Sequence, residues 1–129
     1  MADLEAGTLA GSQERILYDS AQDGGLWLRT FGGNDFVGLD DTSTGTVVDT
    51  GTGNDRVVFG TSLSSADAVD GGADIDTLVF TGDNTNTSAL DGVRRVEYIS
   101  VTGTAVNLVL TDAMVSSADA QLTIDASGA

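Results

Sequence analysis

Three segments in which glycines precede an aspartate recur through the middle of the chain at a nearly constant interval. They are residues 32–37 (GGNDFV), 51–57 (GTGNDRV) and 71–78 (GGADIDTL). Their aligned aspartates are Asp35, Asp55 and Asp76, with separations of 20 and 21 residues. A repeat of this length is typical of solenoid and β-helix proteins, in which each repeat forms one coil.

Short β-type runs lie between the glycine segments. Residues 56–59 (RVVF) and 77–80 (TLVF) follow two of them, and Val47 and Val69 lie in runs that precede two of them. The repeating unit is therefore strand, glycine turn, strand, second turn, and it buries its apolar face only by stacking on its neighbours. The pattern predicts an all-β fold, a parallel β-roll or β-helix with coils of about 20 residues.

The repeats divide the chain into three parts. Residues 1–30 are expected to form N-terminal strands, either a hairpin or a coil that caps the stack. Residues 31–80 contain the repeats, and residues 81–129 are expected to continue as a less regular β-stack without the glycine motif.

Several elements are predicted within residues 81–129. Strands are expected over residues 93–101, 107–110 and 121–125, with Val96, Tyr98 and Ile99 as core contacts. A helical turn capped by Thr111 or Asp112 is expected between the last two strands. The sequence ends within a strand-like pattern, and we expect the chain to be part of a longer protein.

The charge and composition exclude several classes of function. The 129 residues carry 20 acidic side chains, five arginines and no lysine, for a net charge of −15. No basic patch is present to bind nucleic-acid phosphates. Without cysteine or histidine, disulfides and the usual zinc or copper sites are excluded, whereas abundant oxygen ligands suit calcium.

The acidity is concentrated in aspartate, which outnumbers glutamate by seventeen to three. Aspartate favours turns, where its short side chain bonds nearby backbone. Glycines allow the backbone to turn sharply and direct carbonyl oxygens inward, and an aspartate at the end of the turn adds a carboxylate. One loop supplies too few oxygens for calcium, but two loops stacked one coil apart can share an ion.

The segments resemble the glycine- and aspartate-rich nonapeptide repeat of RTX proteins, also called hemolysin-type calcium-binding repeats. The pattern is Gly-Gly-x-Gly-x-Asp-x-U-x, where U is a large aliphatic residue. Residues 71–79 match it with Asp74 at the third glycine, and residues 50–58 match it with Thr50 at the first. Residues 30–38 keep Gly33, Asp35 and Val37. The resemblance covers roughly residues 14–80 by motif, and extends more loosely to residue 110.

The resemblance implies a parallel β-roll that binds calcium between stacked turns, in an exported protein that folds outside the cell. Because only one turn in each coil carries the motif, calcium is expected along one edge. Two ions are expected, one between the Asp35 and Asp55 loops and one between the Asp55 and Asp76 loops. The candidate metal-binding residues are Gly33, Asp35, Asp49, Gly51, Gly53, Asp55, Asp70, Gly72, Asp74 and Asp76.

The main alternative for the motif is an acidic β-solenoid whose glycine–aspartate turns are only turns. Other binding motifs fit poorly. The segment from Asp19 to Gly24 fails as an EF-hand because position three is Ala21 and position twelve is Thr30. No lysine or helix follows the glycines, as a phosphate-binding loop requires. The Arg94–Arg95 pair is expected to bond local carboxylates.

The sequence favours a structural calcium-binding module of a surface-layer, adhesin or matrix protein over an enzyme. The alternative is a carrier module of a secreted enzyme or toxin that has its catalytic domain elsewhere. Catalysis by this chain itself is not expected, because no histidine or lysine is present. No export signal or membrane span is seen, so type I secretion is expected only from the resemblance. Besides calcium, other copies of the chain or adjacent domains are candidate partners.

Overall fold

The fold is a parallel β-solenoid made of two facing sheets. The computed structural model describes residues 2–5, 15–19, 26–40, 45–60, 63–81, 90–103, 109–112, 114 and 122–128. Eleven strands are described, in the order β1 (Ala2–Glu5), β2 (Arg15–Asp19), β3 (Leu26–Arg29), β4 (Phe36–Asp40), β5 (Val47–Asp49), β6 (Arg56–Phe59), β7 (Ala68–Asp70), β8 (Thr77–Thr81), β9 (Val93–Arg94), β10 (Tyr98–Thr102) and β11 (Thr123–Gly128).

From β1 to β10, consecutive strands lie in opposite sheets, as a coiled chain requires. One sheet has the order β1-β3-β5-β7-β9, and the other has the order β11-β10-β8-β6-β4-β2. Every described pairing between strands is parallel. Phe36 pairs with Arg56 and Arg56 pairs with Thr77, so the coils advance by 20 and then 21 residues. The all-β solenoid and its coil length are as the sequence predicts.

The core lies between the two sheets and consists of stacked columns of apolar side chains. In the six-stranded sheet, successive coils place equivalent residues directly above one another. One column is Val37, Val57, Leu78 and Ile99, and the next is Leu39, Phe59, Phe80 and Val101. The opposite sheet supplies Leu28, Val48, Val69 and Val93. All twelve side chains are buried, so each coil covers the apolar face of its neighbour.

The N-terminal strands form a coil and not a hairpin. Strand β2 pairs with β4, and β3 pairs with β1 and β5. Strands β2 and β3 each pair in parallel with a strand of the next coil. The two-sheet arrangement of the repeats therefore begins before the first glycine turn.

The C-terminal part differs in detail from the prediction. The run over 93–101 is divided between β9 and β10, which lie in opposite sheets. Val96 and Ile99 are buried as expected, but Tyr98 faces outward and its hydroxyl donates to Asp125 across 3.0 Å. The predicted strand is interrupted at Arg95, whose backbone is left-handed. The chain turns there and passes from one sheet to the other.

The predictions that follow Thr102 are met only in part. In the predicted strand over 107–110, Val109 and Leu110 are exposed and not in a strand, and 107–108 lie outside the described residues. The predicted helical turn is present, since the Met114 amide donates to the Thr111 hydroxyl, as a helix cap does. Within the described ranges, no helix has the length and apolar character needed to cross a lipid bilayer.

Candidate metal site

The three glycine turns lie on top of one another at one corner of the solenoid. Gly32, Thr52 and Ala73 form parallel bridges from coil to coil. The amide of Ala73 donates to the carbonyl oxygen of Gly51 at 2.9 Å, and the amide of Gly53 donates to that of Ala73 at 3.2 Å. The repeat motif thus places three turns in register, one coil apart.

Each turn contains two residues in the left-handed backbone region, and the glycines of the motif occupy most of these positions. At the first position φ is 92° for Gly51 and 95° for Gly72. A Cβ at Gly51 would stand 2.1 Å from the carbonyl oxygen of Phe31 in the neighbouring coil. Glycine is required there both for its conformation and for the close approach of two backbones.

Two residues other than glycine adopt left-handed conformations in these turns. Phe31 has a φ of 71° at the first position of its turn, and Asp74 has a φ of 85° at the second position of the last turn. Aspartate tolerates this region better than a bulky aromatic residue does. Phe31 and Asp74 thus stand at two of the positions where the RTX pattern has glycine.

The aligned aspartates form a buried column that we call the corner column, made of Asp35, Asp55, Asp76 and Glu97. Their exposed fractions are 3%, 2%, 2% and 4%. Oδ1 of Asp55 accepts from the Asp35 amide at 2.7 Å, and Oδ1 of Asp76 accepts from the Asp55 amide at 2.9 Å. Oε2 of Glu97 accepts from the Asp76 amide at 2.8 Å. Each carboxylate thus bonds the backbone of the preceding coil.

Glu97 is the member of the column that the sequence analysis missed. No glycine motif precedes it, and it is a glutamate where the repeat has aspartate. The spacing contained the signal, because Glu97 follows Asp76 by 21 residues, the same interval that separates Asp55 from Asp76.

One oxygen of each central aspartate is buried without a hydrogen bond. Oδ2 of Asp55 and Oδ2 of Asp76 are enclosed and have no hydrogen-bond partner among the described residues. A buried charged oxygen without a partner is costly unless a cation or a proton neutralises it. Both atoms belong to aspartates that the sequence analysis names as candidate calcium ligands.

The pKa of both aspartates is raised. Burial raises the pKa of Asp55 to about 6, while the Asp35 amide and the Thr50 hydroxyl lower it and the charges of Asp35 and Asp74 raise it. Burial raises the pKa of Asp76 to about 8, against the effect of the Asp55 amide, with Asp55, Glu97 and Asp74 as repelling charges. The corner therefore concentrates acidic groups in a site shielded from water, where their ionisation is disfavoured.

Asp74 belongs to the same corner but lies at its exposed rim. Its Oδ2 accepts a hydrogen bond from the Gly53 amide at 3.2 Å. Two asparagine side chains form similar hydrogen bonds between coils at this rim. Oδ1 of Asn34 accepts from the Asn54 amide at 2.9 Å, and Oδ1 of Asn54 accepts from the Ile75 amide at 3.0 Å. These asparagines support the stacking of the turns and were not singled out in the sequence.

Asp49 and Asp70 lie on strands β5 and β7 and have arginine partners. Nε of Arg29 is 3.7 Å from Oδ2 of Asp49. Nε of Arg94 donates to Oδ2 of Asp70 at 2.9 Å, and Arg95 donates to both oxygens of Asp70. The expectation that Arg94 and Arg95 bond local carboxylates is confirmed. These two aspartates are neutralised by arginines, unlike Asp55 and Asp76.

The corner column could hold a cation only with help from the backbone. Among the residues that the structure describes, no three acidic side chains converge closely enough to bind a metal by themselves. Calcium takes six to eight oxygens, including backbone carbonyls and water. The carbonyl oxygens of Phe31, Gly33 and Gly51 lie close to the backbone of the next turn. Each would be within about 2.1 Å of a Cβ atom added to the facing glycine of that turn.

Comparisons with protein-family models, with curated proteins and with solved structures find no match to this chain.

Proposed function

We propose that this chain is a calcium-binding β-roll module of the RTX type, with a structural role in an exported or cell-surface bacterial protein. Calcium binds between successive turns of the corner column, shared by Asp35 and Asp55 and by Asp55 and Asp76. The observation that carries the proposal is that Oδ2 of Asp55 and Oδ2 of Asp76 are buried and have no hydrogen-bond partner in the part of the chain that the structure describes. The resemblance of the glycine turns to RTX repeats supplies the identity of the cation and the exported location.

The electrostatics explain why a cation would control folding. Stacking the coils brings carboxylates together in a buried corner, and their repulsion opposes the hydrophobic energy gained between the sheets. A divalent ion between two turns neutralises this charge and crosslinks the coils. The role we assign is therefore binding and structural, with calcium stabilising the folded form and other copies or adjacent domains as candidate partners.

Thermal unfolding of the chain tests the proposal. Circular dichroism records the unfolding curve of the calcium-stripped chain, first without calcium and then at increasing calcium concentrations. Because an ion that binds only the folded form stabilises it, calcium at about 100 times its dissociation constant should add about 2.7 kcal/mol. Magnesium at equal concentration is the control, since it prefers a smaller octahedral site and should stabilise less. A melting temperature that calcium does not change would refute the proposal.

A further inference from the structure

An open groove lies on the outer face of the five-stranded sheet. It crosses strands β3, β5, β7 and β9 and has a volume of about 480 Å³. This volume is within the roughly 300–1,000 Å³ that is typical of sites for small ligands. Trp27, the only tryptophan in the sequence, lines the groove and is 37% exposed. The groove therefore has the size and the aromatic surface of a binding site.

One row of side chains forms the apolar floor of the groove. Trp27 pairs with Val47, and Val47 pairs with Ala68. Gly92 lies in the next coil, where a Cβ would stand 3.0 Å from the Cα of Ala68. The indole thus forms a wall at one end, and the small residues leave room at the other. Because successive strands lie about 4.7–4.9 Å apart, the four strands offer an extended strip to a ligand.

A second row, beside the first, is charged and contains equal numbers of arginines and aspartates. In register it consists of Arg29, Asp49, Asp70 and Arg94. Nε of Arg29 lies 3.7 Å from Oδ2 of Asp49, which is too long for a hydrogen bond, and the two side chains are 39% and 40% exposed. This row therefore presents hydrogen-bond donors and acceptors side by side to a ligand.

The distribution of charge favours a neutral ligand. The chain has a net charge of −15, yet two of its five arginines, Arg29 and Arg94, line this groove together with three aspartates. An anion would meet those aspartates and the field of the whole acidic chain. A cation would meet Arg29, whose guanidinium already lies over the Trp27 ring, 4.5 Å from its centroid. A polar ligand without charge avoids both conflicts.

We propose that this groove binds a neutral oligosaccharide. The apolar faces of the sugar rings pack against the Trp27 indole and against Val47 and Ala68, and the sugar hydroxyls bond the guanidinium and carboxylate groups of the charged row. A linear chain of sugars suits the strip, because the two rows run side by side from coil to coil. The inference goes beyond the proposed function, since it uses no carboxylate of the corner column.

The test is a binding titration of the full chain at saturating calcium, in which the fluorescence of Trp27 and calorimetry report binding. The neutral probes are cellohexaose, maltohexaose, mannohexaose and chitohexaose, and the charged control is oligogalacturonate. At least one neutral probe should change the Trp27 fluorescence and bind more tightly than the control. If no neutral probe binds, or if oligogalacturonate binds as tightly as the best of them, the inference is overturned.

Two variants test whether the saccharide binds in the groove. Trp27→Ala removes the aromatic wall and should weaken binding by about tenfold or more, as the loss of a central tryptophan does at other interfaces. Ala68→Leu fills the floor and should also weaken binding, although it adds apolar surface. Ile75→Ala truncates an apolar side chain that is 57% exposed and lies outside the groove, and this matched control should bind as the natural chain does.

Calorimetry measures the affinity of the variants, and circular dichroism shows whether each of them is folded. If folded Trp27→Ala and Ala68→Leu bind the probe as tightly as the natural chain, the ligand lies elsewhere and the inference is overturned.

The alternative occupant of the groove is a second copy of the chain, which sedimentation equilibrium detects without added saccharide. We expect Trp27→Ala to leave the association state of the chain unchanged. Self-association that Trp27→Ala abolishes would make the groove a protein interface and would overturn the inference.

Discussion

The backbone amide of Asp55 donates to Oδ1 of Asp76 across 2.9 Å, and Oδ2 of the same carboxylate is buried with no hydrogen-bond partner among the described residues. One oxygen therefore joins two coils directly, while the other remains to be neutralised. Asp55 shows the same arrangement. Its Oδ1 accepts from the Asp35 amide, and its Oδ2 is buried with no hydrogen-bond partner among the described residues. It permits separate tests of coil stacking and of cation binding.

Asp55→Asn should separate the two roles. The amide oxygen of asparagine can still accept from the Asp35 amide, so the calcium-free chain should be at least as stable as the natural one. The stabilisation by calcium should fall by half or more, because Asp55 lies between two motif turns. Melting temperatures with and without calcium measure both effects, at roughly 2–8 °C per kcal/mol.

Asp55→Ala removes the whole carboxylate and is compared with Asp55→Asn. It also leaves the buried Asp35 amide without its acceptor, which costs about 1–3 kcal/mol in either condition. We expect it to be the most damaging single change among the corner aspartates. A calcium-induced shift that is the same in both variants and in the natural chain would show that Asp55 is not a ligand.

The calcium-free chain should lose stability as the pH rises. The pKa of Asp76 is about 8 in the folded chain against an ordinary 3.8, and that of Asp55 is about 6. A carboxyl with a raised folded pKa binds its proton more tightly when folded, so its contribution is greatest below about pH 4 and is lost as the pH rises towards 8. Urea unfolding of calcium-stripped protein between pH 4.5 and about 8.5 measures this slope.

Asp76→Asn is the control for this pH dependence. It removes the group with the larger shift, so the decline between about pH 6 and 8 should flatten while the part due to Asp55 remains. A natural chain whose calcium-free stability is constant, or increases, over this range would contradict the raised pKa values, and hence the costly burial of these carboxylates, that we assign to the corner.

Gly71→Ala should destabilise the contact between the last glycine turn and the coil that follows it, which contains β9 and β10. In the preceding coils this position is Thr30 and Thr50, whose hydroxyls donate to the next coil. At Gly71 a methyl group would collide with the carbonyl oxygen of Arg95 and with Asp76. We expect a loss of about 1–3 kcal/mol in urea unfolding. Thr52→Ala, an exposed change in a neighbouring turn, should stay within about 0.5 kcal/mol.

Asp70→Asn distinguishes an arginine partner from a calcium ligand. Because Asp70 bonds both Arg94 and Arg95, removing its charge should cost about 1.5–3 kcal/mol. We expect this loss to be equal with and without calcium, since the arginines already neutralise the carboxylate. A loss that appears only in calcium would instead make Asp70 a metal ligand.

Much of the architecture could be predicted because it is periodic. The spacing of Asp35, Asp55 and Asp76 sets the coil length, and the apolar runs that flank each motif set the strands. The prediction weakened after Thr81, where the glycine motif is absent. There the corner at Arg95 divides an apparently continuous strand, and Tyr98 turns outward to bond Asp125.

The sequence by itself determined that coils of 20 and 21 residues stack, because an apolar face repeated at that interval is buried only against its own copies. It also placed aspartates at one corner. The tertiary structure alone decided which charges remain unneutralised, because hydrogen bonds and ion pairs depend on side chains from other coils. Thus Asp70 is paired with arginines, Glu97 joins the column without a motif, and Oδ2 of Asp76 is buried without a partner among the described residues.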